Sequence, residues 1–586
     1  MTARHHLVVF VPNLGLKAEW EGAVKSAVAC LLAIALVCGQ AAAQPTTDGR
    51  EAQVEALFAK FTADTPGCAV GVEQDGVTLL RKGYGSADLA HGIPITTKTR
   101  FYMGSVSKQF TAMTILLLIK DGKLGLDDPI RKYLPELPAW ADKVTIHNLL
   151  NHTGATGDYF GPGYFAGLPA DYAYTEDDVL RIASRDHDLG QAPGSKYAYS
   201  NTGYVLLSII ASRVGGAPFN VQAHDRIFAP LGMNSTLFQT DHTDPVPDKA
   251  TGYLNQHGGW HEANITIDTM GDGGLYSSVD DMLLWMRNFD APKVGAEAVD
   301  LMRTPSKFAN GDPLPFYGMG LFLPKRRGLQ AVEHTGQLNG YVTFDLMFPS
   351  EKLGVVVLCN SPSAPILRLA PSVAEVYLAS RMDPPPAKVA LAMPPAIPLS
   401  ASEARSKAGL YRNAQGDYRI LAEREGKLYM PGRGLDLVQV KPDQFVLEGL
   451  PDGGRIVFDP KGQDQWLEFA DPGQTPVRFE HLHPVDLSSE ALEAYAGTYW
   501  CDELGSDYEL GTDGKVLSLV ARGHPLLADG IPVSALQSIG VDKMVLLMRS
   551  LGVMEVHFVR DGAGHVTGFT ADSVTLNLKG LVFKRI

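Results

Sequence analysis

The sequence predicts an α+β protein: an antiparallel sheet with helices on both faces and a helical lobe, followed by two small antiparallel β modules. Three observations carry that expectation. Strand-like stretches flank a mostly helical middle within the first 380 residues. A Pro-rich stretch beginning at Asp383-Pro384-Pro385-Pro386 then separates this part from a tail of short alternating strands. The tail also repeats itself at a fixed offset. With 586 residues and 45% hydrophobic content the chain is too long for one core. Its 60 Gly and 38 Pro follow no period, which excludes a collagen-like chain.

The N-terminal segment has the layout of a secretory signal. Lys25 is followed by an uncharged apolar run, Ser26 to Val37, and then by Ala41-Ala42-Ala43 before Gln44. The run is shorter than the roughly 20 residues that span a bilayer. Residues 1–43 are therefore expected to be a signal peptide, with a retained membrane anchor as the alternative. The mature protein is expected to be secreted or periplasmic, without a membrane span. More residues precede Lys25 than such a signal needs, and translation is expected to start near Val24 or Lys25. Cys30 and Cys38 fall in this segment. Cys68, Cys359 and Cys501 are scattered and odd in number, so buried thiols are expected rather than a disulfide framework.

The first domain is placed at residues 44–380. Cys68–Val72 and Val77–Tyr84 flank Gln74-Asp75-Gly76 and read as a hairpin. Gly104 to Lys120 reads as a long apolar helix closed by Asp121-Gly122. Helical segments broken by Gly and Pro loops continue to about Phe289. Strands return at Leu329–His334, Tyr341–Phe348 and Leu353–Cys359, the last two joined by Pro349-Ser350-Glu351-Lys352. A linker is placed at 381–401, and the two β modules at 402–484 and 485–586. Ala408-Gly409-Leu410-Tyr411 is echoed by Ala496-Gly497-Thr498-Tyr499, and Gly426-Lys427-Leu428 by Gly514-Lys515-Val516, both at an offset of 88 positions.

The chemistry-bearing residues fall into three groups. Ser105 and Lys108 stand three apart at a helix start, on one face, where free N–H groups favour developing negative charge. A lysine whose pKa is lowered by burial can take the serine proton. Tyr199 and Asn201 follow in a loop: a phenol near an ammonium can relay a proton, and an amide can hold the amine or a substrate carbonyl. His334-Thr335-Gly336 lies in a strand. Gly336 would allow close approach of substrate backbone, and the N–H of Gln337 could join that of Ser105 in an oxyanion hole. Each group alone has an ordinary structural reading; their order on helix, loop and strand is far more specific.

That order, Ser-x-x-Lys, Tyr-x-Asn, His-x-Gly, resembles the serine β-lactamase and penicillin-binding-protein-like hydrolases, in the class C branch. Phe101-Tyr102-Met103-Gly104, Leu149-Leu150-Asn151-His152-Thr153, Ser200-Asn201-Thr202-Gly203-Tyr204, Pro230-Leu231-Gly232-Met233 and Gly273-Gly274-Leu275-Tyr276-Ser277-Ser278 are similar too. The resemblance covers roughly residues 50–380. It implies a β-lactamase-like α/β/α sandwich, Ser105 as nucleophile, and Lys108 with Tyr199 as the proton-handling pair. Which of the pair takes the first proton stays open. It further implies substrate contacts from Asn201, His334, Gly336 and Gln337; His152 lies in a stretch typical of the family but is itself read as structural.

His334 departs from the pattern, because β-lactamases of this type carry Lys there. An imidazole is only partly charged near neutral pH, which weighs against carboxylate recognition and β-lactamase activity. His-x-Gly and a doubled β tail resemble the layout of D-stereospecific aminopeptidases, whose catalytic domain is followed by two β-barrels. In that family a barrel loop narrows the site; residues 522–535 are the candidate here. The expected function is a secreted serine hydrolase acting on small peptides or amides. A carboxylesterase, a β-lactamase and a non-catalytic cell-wall-fragment binder are the alternatives, in that order. No metal or other cofactor is expected, and Glu480-His481-Leu482-His483 is expected to be a solvated loop. A net charge of -14 without a long basic run weighs against nucleic acid. Self-association is compatible with the sequence.

Overall fold

The structure is a computed structural model. It describes residues 49–586 apart from 167, 169–171, 187–188, 190, 257, 385–394, 432–434, 449, 460, 463–464, 472–474, 523–530, 549–551 and 574–577. The proposed signal segment and most of the loop candidate at 522–535 therefore lie outside the described residues, as does part of the Pro-rich linker.

The catalytic half is built on a five-stranded antiparallel sheet. Its strands are β1 (Cys68–Gln74), β2 (Val77–Tyr84), β3 (Val332–Leu338), β4 (Tyr341–Phe348) and β5 (Leu353–Cys359). Their order is β3-β4-β5-β1-β2, so strands from the two ends of this half meet where β5 pairs with β1. The β1–β2 turn carries Asp75 and Gly76, both in the left-handed region that a tight hairpin demands. All of β4 and β5 is buried along its length, which means that both faces of the sheet are covered. Helix α1 (Ser107–Lys120), α2 (Asn201–Gly215), α3 (Val279–Asp290) and α4 (Ile366–Leu378) provide much of the cover. α3 packs on β5 and β1, α4 on β4 and β5, and α1 against α2. Between α1 and α3 most of the regular elements are helices, joined by long loops and a few short strands, and they form the expected lobe.

The cysteine expectation needs correction. Cys68 and Cys359 are direct partners in the β1–β5 register and are joined as a disulfide, 291 residues apart in sequence. Cys501 is the buried free thiol among the described residues.

Two closed eight-stranded antiparallel barrels follow, over Gly409–Leu482 and Gly497–Arg585. The sequence echo marks equivalent parts of them. A short helix precedes each, and the Tyr411 and Tyr499 hydroxyls each donate to the carbonyl four residues earlier, at 2.9 and 2.6 Å. Glu480-His481-Leu482 is not a loop, as expected, but the end of a closing strand. The His481 ring stacks on Tyr411 with centroids 4.3 Å apart.

The second barrel is fastened into the helical lobe. Phe165 and Ala166 belong to its apolar core, with Tyr499, Tyr508 and Leu510. The Tyr508 hydroxyl donates to Phe165 O, and Ser506 Oγ to Ala166 O at 3.3 Å. The barrels meet at Glu555, whose Oε1 accepts from Arg412 Nε at 2.6 Å and Tyr418 OH at 2.5 Å. Lobe and barrels enclose a cavity of about 820 Å³, lined by residues that include Trp140, Asp158, Tyr418, Glu503 and Leu581. Among the described residues no single helix is long and apolar enough to cross a membrane.

Candidate active site

Ser105 sits in a single 3-10 turn, Gly104–Val106, that runs directly into α1. Every residue of α1 from Ser107 to Leu118 is buried, so the helix is a core element and Ser105 stands at its N-terminal end. Gly104 adopts φ +53°. A Cβ on it would fall 2.7 Å from Gln337 N and 3.1 Å from the Gly336 Cα. The turn therefore lies hard against β3, with Gly104 packed on the backbone of Gly336 and Gln337. Gly336 is required from the other direction, since a Cβ there would meet Met103 O at 1.9 Å. Thr343 locks the same contact by donating to Met103 O at 2.8 Å.

Lys108 is completely buried, and three oxygens surround its amine. Nζ donates to Ser105 Oγ at 3.2 Å, to Asn201 Oδ1 at 2.8 Å and to Asp272 O at 2.9 Å. Burial lowers its pKa to about 8, opposed by the charges of Asp272 and Asp158. Tyr199 presents its ring to the same amine, with Nζ 4.9 Å from the centroid. Burial holds the phenol well above its ordinary pKa, partly offset by its hydrogen bond with Ser105. The site thus contains an amine close to losing its proton and a phenol that keeps its own.

Asn201 opens α2, whose N-terminus is capped by Ser200 Oγ accepting from Gly203 N at 3.1 Å. Its Nδ2 donates to Asp158 Oδ2 at 2.7 Å, which turns Oδ1 toward Lys108. Asp158 is itself raised by burial. Asp272 is pushed up to about 6, burial again dominating, and its carboxylate accepts from Tyr159 OH at 3.1 Å.

His334 lies in β3 beside Tyr199, their ring centroids 6.3 Å apart, and beside Phe322 at 5.2 Å. Burial and the Lys108 charge lower its pKa to about 3, so the ring is neutral. Its Nδ1 donates to Thr335 O at 2.7 Å, leaving Nε2 as a buried acceptor with no partner. The Gln337 side chain is exposed, so its place in the site is that of its backbone.

The structure thus gathers Ser105, Lys108, Tyr199 and Asn201 at hydrogen-bonding range or ring contact, with His334, Gly336 and Gln337 on the adjoining strand. Sequence reasoning missed Asp158 and the Asp272 carbonyl. Asp272 sits in a Gly-Asp-Gly-Gly run that signals close backbone approach; Asp158 carries no such signal. Among the described residues, Asp241, His242 and Asp268 form the one group with metal-ligand spacing, and His242 Nδ1 is already paired with Asp268 at 2.9 Å.

The Beta-lactamase family matches residues 54–377, more than half of the chain. The chain belongs to that family. A D-aminopeptidase of Gluconobacter oxydans is 34% identical over 54% of this chain, in a match that spans 59% of that protein's length. A D-aminopeptidase of Brucella melitensis is 26% identical over 89% of this chain and 96% of its own. The octameric penicillin-binding protein homologue from Pyrococcus abyssi superposes with a TM-score of 0.50 at 21% identity, covering 92% of this chain and 100% of that one, which is a likeness of fold. Family and relatives together indicate a serine hydrolase.

Proposed function

We propose that the protein is an exported hydrolase of the D-aminopeptidase type, which releases residues from small peptides or amides through an acyl-enzyme on Ser105. The observation that carries this reading is the Lys108 amine. It touches Ser105 Oγ and has a pKa of about 8, so about a tenth of it is neutral near pH 7. Lys108 then takes the Ser105 proton as the oxygen attacks the scissile carbonyl. The oxyanion is received by the N–H groups of Ser105 and Gln337. Tyr199, which burial keeps protonated, hands its proton to the departing amine and is recharged from Lys108. Water then attacks the ester through the same groups in reverse.

The state of His334 favours an amide over a β-lactam substrate. A neutral ring with a free acceptor suits a substrate N–H and offers no cation for a carboxylate. The D-aminopeptidase relatives support the same substrate class. Export rests on residues 1–43 acting as a signal; sequencing the exported protein should find Gln44 first.

The test is a panel of D- and L-aminoacyl p-nitroanilides, a p-nitrophenyl ester and a chromogenic cephalosporin, turned over by the mature protein and its Ser105→Ala variant. Turnover of D-anilides, lost in the variant, is expected. Turnover of the ester alone would replace this reading with a carboxylesterase. No turnover and no acyl adduct on Ser105 would overturn the hydrolase reading for these substrates.

A further inference from the structure

His152 stands outside the Ser105–Lys108–Tyr199 group, yet it holds the backbone on both sides of Tyr199. Its carbonyl accepts from Ala198 N at 2.8 Å, and its Nδ1 accepts from Ser200 N at 3.1 Å. Between these two bonds the imidazole lies on the Tyr199 ring, with centroids 4.2 Å apart and planes inclined by 32°. Tyr204 and Tyr317 pack against the imidazole at 5.0 Å each. The rest of the loop fastens the same segment. Thr153 O accepts from Gly194 N at 2.7 Å, Gly157 O from Ser200 Oγ at 2.9 Å, and Asp158 from Asn201 as above.

Two further features fit a geometric task rather than space-filling. His152 adopts φ +58°, a left-handed conformation that a non-glycine residue keeps only where its surroundings enforce it. Because Nδ1 accepts, the ring is the neutral tautomer with its proton on Nε2. Burial, with the charge of Lys108, holds its pKa well below the ordinary value, so this tautomer is the working form.

We infer that His152 is a positioning residue for Tyr199, fixing the phenol over Ser105 by bonding the backbone before and after it and by packing ring on ring. A phenol turns about two soft torsions, and a proton donor must stay within hydrogen-bond reach of the leaving group. Another aromatic could supply the stacking, but the Ser200 N–H also needs an acceptor atom at that place, which a phenyl ring lacks.

The inference rests on the hydrolase reading above, and its test separates the two. The mature chain is compared with His152→Gly, which removes the imidazole without straining φ, and with His152→Asn, whose amide oxygen can accept from Ser200 N and which tolerates the left-handed region. Active sites are counted by the p-nitrophenol burst. Per site, kcat on a D-aminoacyl p-nitroanilide should fall about a hundredfold in His152→Gly, with KM within about threefold. The burst rate on the p-nitrophenyl ester, which reads acylation alone with a leaving group that needs no proton, should lose less than about fivefold. His152→Asn should regain about tenfold on the anilide. Equal losses on both substrates, or no regain with Asn, would overturn the inference. If His152→Gly does not fold, the anilide-to-ester ratio of His152→Asn against the unmodified enzyme decides: a fall supports the inference, an unchanged ratio overturns it. No turnover and no acyl adduct in the unmodified enzyme would instead overturn the hydrolase reading, and the inference with it.

Discussion

Lys108 and His334 are two basic side chains buried in one site, and burial lowers the pKa of both, yet they end in different states. Lys108 has oxygens on three sides, with the charges of Asp272 and Asp158 behind them, and its descent stops at about 8. His334 has one carbonyl partner and the positive charge of Lys108 facing it, and it descends to about 3. Burial sets the direction; the neighbouring charges decide where the shift ends. One group is left poised to exchange a proton near working pH, and the other is held neutral throughout.

Removing the poised group should have the largest effect. Lys108→Met should lower kcat/KM on a D-anilide by about 10⁴-fold and abolish the burst, because no base remains at Ser105. The same variant should lose none of its stability at pH 7. Lys108 releases its proton near 8 in the folded protein and near its ordinary 10.5 when unfolded. Between those values the unfolded chain binds more protons, so stability rises with pH across that window and is penalised below it. Urea unfolding at pH 7 and 10 should show this rise in the unmodified protein and a weaker one in the variant.

Making the two groups alike is the next largest perturbation. In the unmodified enzyme kcat/KM should rise through about pH 8, with no separate limb near 6.5, since His334 does not titrate there. His334→Lys places a second ammonium beside the first, and like charges lower each other's pKa. The rising limb should move to lower pH. The new cation should also raise acylation by the carboxylate-bearing cephalosporin about tenfold, read from the burst rate.

The contrast between these groups was only half visible in the sequence. Ser105, Lys108, Tyr199 and Asn201 were legible because a helix start, a spacing of three and a Tyr-x-Asn loop are local patterns. The hairpin at Asp75-Gly76 and the doubled tail were legible for the same reason. What surrounds Lys108 was not. Asp158 and the Asp272 carbonyl reach it from separate loops, and no local pattern marks a carboxylate as buried behind an amide. The Cys68–Cys359 bond was missed because its partners meet only when the two ends of the catalytic half pair as β1 and β5. The docking of Phe165 in the second barrel was equally hidden, since an aromatic residue in a Gly- and Pro-rich stretch says nothing about which core receives it.

Asp158 offers the finest adjustment of the comparison, because it touches neither Ser105 nor Tyr199 in any hydrogen bond. It acts on Lys108 in two ways: its charge favours the ammonium, and its bond to Asn201 Nδ2 aims Oδ1 at the amine. Asp158→Asn removes the charge and keeps an amide oxygen able to accept from Asn201. If charge is the larger influence, Lys108 loses its proton more readily. The rising limb of kcat/KM should then move to lower pH, while the plateau stays within about threefold of the unmodified enzyme. If aim is the larger influence, this variant, which keeps the bond to Asn201, should leave both limb and plateau where they were. The pH profile therefore separates the two, and a shifted limb with an intact plateau would show that oxygens at one remove from the amine tune the difference between Lys108 and His334.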